Sequence, residues 1–235
     1  MPCSFCTPWS SPTCSSRIIK KNGLTANAKQ RYRCKDCGLQ FITDYSYLGR
    51  LEAIRSLVVP LTLNGCGIRD TARVLLISPA TVLKILRAAA AQVSEPEPPD
   101  RIRDLELDEF WSFVGSKKSP RWTWYGLDRQ RPQVVAFVQG RRTDESGRVL
   151  KSKLGRVWVR AYRTDQWPTY ARFFPRRRHH TSKEGTCRIE RNHLNFRTRV
   201  KRRQRRPICY SRSADMHDAV IKLYVHHFNA QQHQL

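Results

Sequence analysis

Acidic residues are scarce in this 235-residue chain: 19 Asp and Glu stand against 44 Lys and Arg, a formal net charge of +25. A small folded protein tolerates that imbalance when a polyanion normally meets it, and nucleic acid leads the candidates. Long apolar runs are also missing. Nowhere do about 18 apolar residues follow one another, and the start, MPCSFCTPWSSPTCSS, has neither the basic segment nor the apolar stretch of a secretory leader. The expectation is a soluble, intracellular protein without a membrane partner. No heptad seam marks an oligomer. Cysteine, by contrast, is present eight times, and five of the eight fall within the first 37 residues. In a reducing compartment such crowding favours a metal site over disulfides.

At 40% hydrophobic residues, the length suits one full domain and a smaller one, since domains run to roughly 100 to 200 residues. Residues 1–45 are polar and Cys-rich, and Asn22-Gly23 predicts a hairpin turn between strands Arg17–Lys20 and Gln30–Arg33. Residues 46–93 switch to helical spacing: Leu51, Ile54, Leu57, Val58 and Leu61, a break at Asn64–Gly67, then Ile68, Ala72 and Leu75. Ser78-Pro79 reads as an N-cap with proline in the first turn of another helix, so the segment predicts a helix-turn-helix. Three prolines in residues 94–100 predict a linker. From 101 to 235 the pattern gives strands near 102–110, 121–128, 133–139 and 156–163, with a helix near 142–153 before the last of these. After it come a short helix following Pro168, a strand near 178–183, a helix from about 187 and a C-terminal helix around 216–228. Three strands followed by alternating helices and strands resemble the ribonuclease H-like order. The fold class expected is therefore multidomain α+β: a zinc β-ribbon, a helix-turn-helix, and a ribonuclease H-like α/β domain with a mixed five-stranded sheet.

Cys34-Lys-Asp-Cys37 followed by Gly38 is a metal-knuckle pattern, because two thiolates three residues apart turn inward together and glycine permits the tight backbone. Its partner pair stays open. Cys3 and Cys6 have the right internal spacing but lie further from Cys34 than the usual ribbon loop of about 15 to 20 residues. Cys14 fits that loop, yet Ser11 stands three residues before it. The expected set is Cys34 and Cys37 plus two of Cys3, Cys6 and Cys14, holding structural Zn²⁺ with no open position; the rival reading is free thiols.

Three carboxylates fall in chemically suggestive places. Asp108 lies within the apolar strand LELDEFW, where a buried charge needs a partner or a metal. Asp165 ends the strand before Trp167-Pro168, and Glu190 begins the helix CRIERNHLNFR. Two such carboxylates with a third completing the shell can hold two Mg²⁺ (or Mn²⁺) ions roughly 3.5 to 4 Å apart beside a phosphodiester. The rival readings are a turn aspartate for Asp165 and a helix-dipole partner for Glu190.

The stretches LDEFWSFVGSKK, RTDQWPTY, RIERNHLNFR and RRPICYSRSADMH resemble, in the same order, the landmarks of insertion sequence one (IS1) family transposases, bacterial relatives of the DDE transposases. KNGLTANAKQRYRCKDCGLQF is similar to the zinc ribbon of that family. The resemblance implies a ribonuclease H-like catalytic domain with Asp108, Asp165 and Glu190 as Mg²⁺ ligands and catalytic residues. It also implies a bacterial cytoplasmic, nucleoid-associated location. Arg197, two helical turns beyond Glu190, matches the position where DDE enzymes place a basic residue on DNA; its alternative is surface charge. Two departures stand out: His193 where the family tends to have Asn, and Ser11 where a cysteine is expected. His193 shares a helical stripe with Ile189, Phe196 and Val200, which favours core packing.

Basic runs at Arg176–Arg178 and Lys201–Arg206, including Lys201 and Arg202, are expected to neutralise DNA phosphates. Phe173, Phe174 and Tyr210 nearby read as core rather than base-stacking groups. Thr81, Lys84 and Arg87 on the helix after Ser78 are candidates to face a major groove, or form a solvated face. The expected function is a transposase that recognises terminal repeats and joins the freed 3′ ends to target DNA, as a homodimer or larger synaptic assembly. The alternatives are a catalytically inactive DNA-binding repressor and a ribonuclease H-like DNA nuclease.

Overall fold

The computed structural model describes residues 10–155, 157–182, 186–201 and 210–232, and the chain divides into two units, Met1–Arg50 and Leu51–Leu235. In the first, strands β1 (Ile19–Leu24), β2 (Gln30–Cys34) and β3 (Gln40–Ile42) form an antiparallel sheet in that order. The reversal expected at Asn22-Gly23 is not there. Those residues lie inside β1, where Gly23 has φ +72° and the register shifts between Lys21 and Leu24. Glycine's freedom at positive φ serves a bulge here instead of a turn. The chain reverses over Thr25–Lys29, closed by the Thr25 N–H donating to the Lys29 carbonyl at 2.8 Å.

The second unit begins with four helices: α1 (Glu52–Ser56), α2 (Val58–Leu63), α3 (Ile68–Val74) and α4 (Pro79–Gln92). The single helix expected from Leu51 is interrupted at Leu57, between α1 and α2. Between α3 and α4 the axis turns by 111° over a short connection, within the range of a helix-turn-helix. Ser78 caps α4 by accepting the Thr81 N–H at 3.1 Å, with Pro79 in the first turn. Val82, Ile85, Leu86 and Ala90 form its buried stripe. Lys222 from the C-terminal helix donates to the Ala90 carbonyl at 3.1 Å, fastening α4 to that helix.

The remainder is a mixed five-stranded sheet. Strands β4 (Arg101–Val114), β5 (Ser116–Asp128) and β6 (Val134–Gly140) are antiparallel, while β7 (Trp158–Thr164) and β8 (His179–Thr181) run parallel to β4. The spatial order is β6-β5-β4-β7-β8. Helices α5 (Asp144–Leu154) and α6 (Pro168–Phe173) separate the parallel strands, and α7 (Cys187–Arg199) and α8 (Ala214–Gln232) follow them. An antiparallel three-strand meander whose first strand continues into parallel crossovers is the ribonuclease H-like topology. The β4–β5 hairpin reaches further than its apolar pattern implied. Ser116–Pro120 are exposed, so alternation gave no signal, yet Ser116 pairs with Val114 across Gly115 and Pro120 with Phe113.

Alternation along β4 sorts its side chains onto two faces. Leu105 and Leu107 join Trp124, Val135, Leu150, Tyr170 and Phe174 in a core beneath α5 and α6. On the opposite face Phe110 meets Phe196 of α7 at 4.8 Å between ring centroids, and Ser112 bonds the fully buried His217 of α8 at 3.1 Å. Phe174 is core as expected, Phe173 packs at its margin, and Tyr210 lies against Phe113. Among the described residues no single helix is long and apolar enough to cross a membrane.

Candidate active site and metal centres

The carboxylates gather where β4 and β7 run side by side. The parallel register pairs Glu106 with Arg163; carried two residues onward along both strands, it sets Asp108 beside Asp165. One carboxylate oxygen from each of Asp108, Glu109 and Asp165 lies within 4.8 Å of the others. Asp165 accepts the Trp167 N–H at 3.0 Å, so the turn expected of it and its place beside Asp108 coexist. Pro168 then opens α6 with Trp167 as its N-cap.

Glu190 arrives from the other direction, in the first turn of α7. The residue before it is held by both backbone groups. The Ile189 N–H donates to the Glu106 carboxylate at 2.7 Å, and its carbonyl accepts from the Tyr125 hydroxyl at 3.1 Å, with the Ile189 side chain fully buried. This clamp ties the start of α7 to the centre of the sheet. Burial pushes the Asp108 carboxyl up to about 7, reinforced by the negative charges of Glu109, Asp165 and Glu190. Asp108 therefore senses all three neighbouring carboxylates.

The four acids differ in what else holds them. Glu109 is consumed by structure: it accepts from the Tyr170 hydroxyl at 2.6 Å and from Arg142 at 2.6 and 2.7 Å. The Arg142 guanidinium is itself sandwiched between the Trp122 and Trp167 rings, 4.9 and 4.5 Å from their centroids. Asp104 and Glu106 likewise face Arg163 and Arg129. Among the described residues no lysine or arginine forms an ion pair with Asp108, Asp165 or Glu190. Beside Asp108 stands His193, whose Nδ1 lies 3.7 Å from its carboxylate. Its ring also stands edge-on to Phe110 at 5.5 Å. His193 is thus the buried core residue its spacing suggested and, in addition, a wall of the acidic site. The residues present fit hard divalent cations: all donors are oxygen, and the best placed lack counter-ions.

Glu109, Glu106 and Arg142 escaped the sequence reading. The signal was the density of acids in DLELDEF, since a strand with both faces covered cannot leave four charges unmatched. Also unforeseen is an arginine basin on the Glu106 side of the sheet. A cavity of about 580 Å³ is lined by Arg103, Arg129, Arg163 and Arg188 around Asp104. A neighbouring one of about 330 Å³ adds Arg160 and Arg177. Of the DNA candidates, Lys84 and Arg87 are exposed on α4, Thr81 is half-buried beside its cap, Arg197 is exposed on α7 and Lys201 is half-buried. Arg202 lies outside the described residues.

In the ribbon, the sulfurs of Cys14, Cys34 and Cys37 lie within 4.8 Å of one another, with Cys14 and Cys34 3.6 Å apart. Cys3 and Cys6 lie outside the described residues. Backbone N–H groups, that of Cys37 foremost, bring the Cys34 thiol down to about 6. Three clustered sulfurs with one poised as thiolate fit zinc.

A family model described as IS1 transposase matches residues 102–231. The insertion element iso-IS1n protein InsB of Shigella dysenteriae is 44% identical over 120 residues, 51% of this chain and 92% of that protein. The insertion element IS1 protein InsB of Shigella flexneri is 40% identical over 129 residues, 55% and 96% of the two chains. An InsB protein of Escherichia coli is 37% identical over 154 residues, 66% and 90%. A solved structure, the simian T-cell lymphotropic virus intasome in complex with PP2A regulatory subunit B56 gamma, aligns with a TM-score of 0.37 and 16% identity over 74% of this chain and 65% of that one.

Proposed function

The chain belongs to the IS1 transposase family of DDE enzymes, and from that premise we propose that it binds the terminal repeats of its insertion sequence and catalyses Mg²⁺- or Mn²⁺-dependent cleavage and strand transfer there. One observation carries the reading: in a chain of net charge +25, Asp108 and Asp165 meet without a described lysine or arginine partner, and Glu190 is near enough for its charge to act on Asp108. Asp108 and Asp165 are the principal metal ligands, and Glu190 completes the set from α7. Divalent ions bound there supply charge neutralisation and activation of the attacking oxygen at a scissile phosphodiester. The protein's part is positional. The parallel β4–β7 register sets two donors side by side, and the Glu106 and Tyr125 bonds to Ile189 bring in the third. His193 limits how far Asp108 can turn.

DNA is held by charge and read by shape and base edges. The basin of Arg103, Arg129, Arg160, Arg163, Arg177 and Arg188 takes phosphates beside the carboxylates, and Arg197 and Lys201 extend that contact. Helix α4 offers Lys84 and Arg87 to a major groove, with Thr81 at its start. Zinc at Cys14, Cys34 and Cys37 braces the ribbon. Two element ends must meet for transposition, so at least two protomers act together.

The test is incubation of the full chain with duplex DNA bearing the element's end. Nicking at that end and joined products in Mg²⁺, both absent with Asp165→Asn, support the reading. Binding without cleavage by the unaltered chain supports a repressor, and cleavage of branched DNA regardless of sequence supports a nuclease.

A further inference from the structure

The metal-knuckle pattern occurs twice in the folded ribbon, although only one copy carries the sequence signature. In the copy at Cys34-Lys-Asp-Cys37-Gly38, the Cys34 N–H donates to the Leu39 carbonyl at 2.9 Å and the Gly38 N–H returns to the Cys34 carbonyl at 3.2 Å. Gly38 closes the loop at φ +71°. In Ser11-Pro-Thr-Cys14-Ser15, the Ser11 N–H donates to the Ser16 carbonyl at 2.8 Å and the Ser15 N–H returns to the Ser11 carbonyl at 2.9 Å. Ser15 closes that loop at φ +56°, a conformation costly for any residue with a Cβ and kept only where its surroundings impose it. Position by position, Ser11 stands where Cys34 stands, Cys14 where Cys37 stands, and Ser15 where Gly38 stands.

Side chains follow the same correspondence. The Cys34 sulfur accepts the backbone N–H of Asp36, two residues on, and Ser11 Oγ accepts that of Thr13, also two residues on, at 3.5 Å. Ser11 is 1% exposed. Its hydroxyl points into the sulfur cluster, 3.2 Å from Cys37 Sγ. The contacts that satisfy this buried hydroxyl, with the Thr13 N–H and Cys37 Sγ, hold it at the corner that a second knuckle would fill with a thiolate.

We propose that Ser11 is the fourth corner of the metal site, so that zinc is held by the three thiolates of Cys14, Cys34 and Cys37 and an oxygen donor at Ser11, without Cys3 or Cys6. The inference rests on the zinc reading above and deepens it. Exchanging one sulfur for a neutral oxygen leaves the site one negative charge short of a four-thiolate centre, and such a site binds zinc less tightly and releases it more readily.

Cobalt(II) substitution of the reduced full chain tests this, because the intensity of the thiolate-to-cobalt charge-transfer band counts bound sulfurs. We expect three in the unaltered chain, three in Ser11→Ala, Cys3→Ser and Cys6→Ser, and four in Ser11→Cys. Competition with a chelator should show Ser11→Cys holding zinc at least about tenfold more tightly, the lower bound being what even an outer-shell partner contributes. Four sulfurs in the unaltered chain, with one lost in Cys3→Ser or Cys6→Ser, would overturn the assignment without touching the zinc reading. A chain that takes up neither metal would overturn both.

Discussion

Two groups of acids stand on and against the central sheet and are treated oppositely. Asp104, Glu106 and Glu109 each face an arginine, and Glu109 has a tyrosine hydroxyl as well. Asp108 meets Asp165, feels the charge of Glu190, and has a histidine beside it. Arginine is abundant in the chain, yet among the described residues none pairs with the second group. The first group spends its charge on holding strands and helices together. The second is crowded enough that Asp108 keeps its proton to about pH 7, and a bound cation would relieve the same repulsion.

The sharpest way to break this comparison is to neutralise an acid of the second group and to remove an arginine partner from the first. Asp108→Asn, Asp165→Asn or Glu190→Gln should lower Mg²⁺-dependent cleavage of end DNA by at least about a thousandfold while DNA binding persists; a mild loss would place the chemistry elsewhere. Arg142→Ala strands the Glu109 charge in the core and should cost roughly 3 to 5 kcal/mol in urea denaturation. Asp108→Asn works the other way on stability. Because the folded protein holds the Asp108 proton up to about pH 7 while an unfolded aspartate releases it near its ordinary value of 3.8, stability of the metal-free protein falls as pH rises through that window. The Asn variant should flatten the fall and be more stable at pH 8 by roughly 2 to 4 kcal/mol. Smallest of all, Tyr125→Phe loosens one of the two bonds on Ile189. It should cost about 1 kcal/mol and raise the Mg²⁺ concentration needed for half-maximal cleavage, whereas a purely structural hydroxyl would leave that concentration unchanged.

Much of the geometry of this candidate site is legible in the sequence. Asp108 was visible as a charge in an apolar strand, Asp165 as a strand end before Trp-Pro, and Glu190 as an acid at a helix start. Strand periodicity also located β4, β6 and β7 to within a few residues. What stayed hidden depends on pairing across space. Glu109 and Arg142 are far apart in the chain, and nothing local distinguishes a paired carboxylate from an unpaired one. Asn22-Gly23 has the chemistry of a turn and of a bulge alike, and only the register with β2 decides between them. Ser11 was visible only as a missing cysteine, and its burial and its backbone likeness to Cys34 needed the folded ribbon.

The bond from Lys222 to the Ala90 carbonyl joins α4 to the helix that lies across the sheet. Under the proposed function, reader and cutter would be built on one block, and the number of base pairs between a recognised sequence and the severed bond would become a property of the protein, as a gauge is set by the length of its arm.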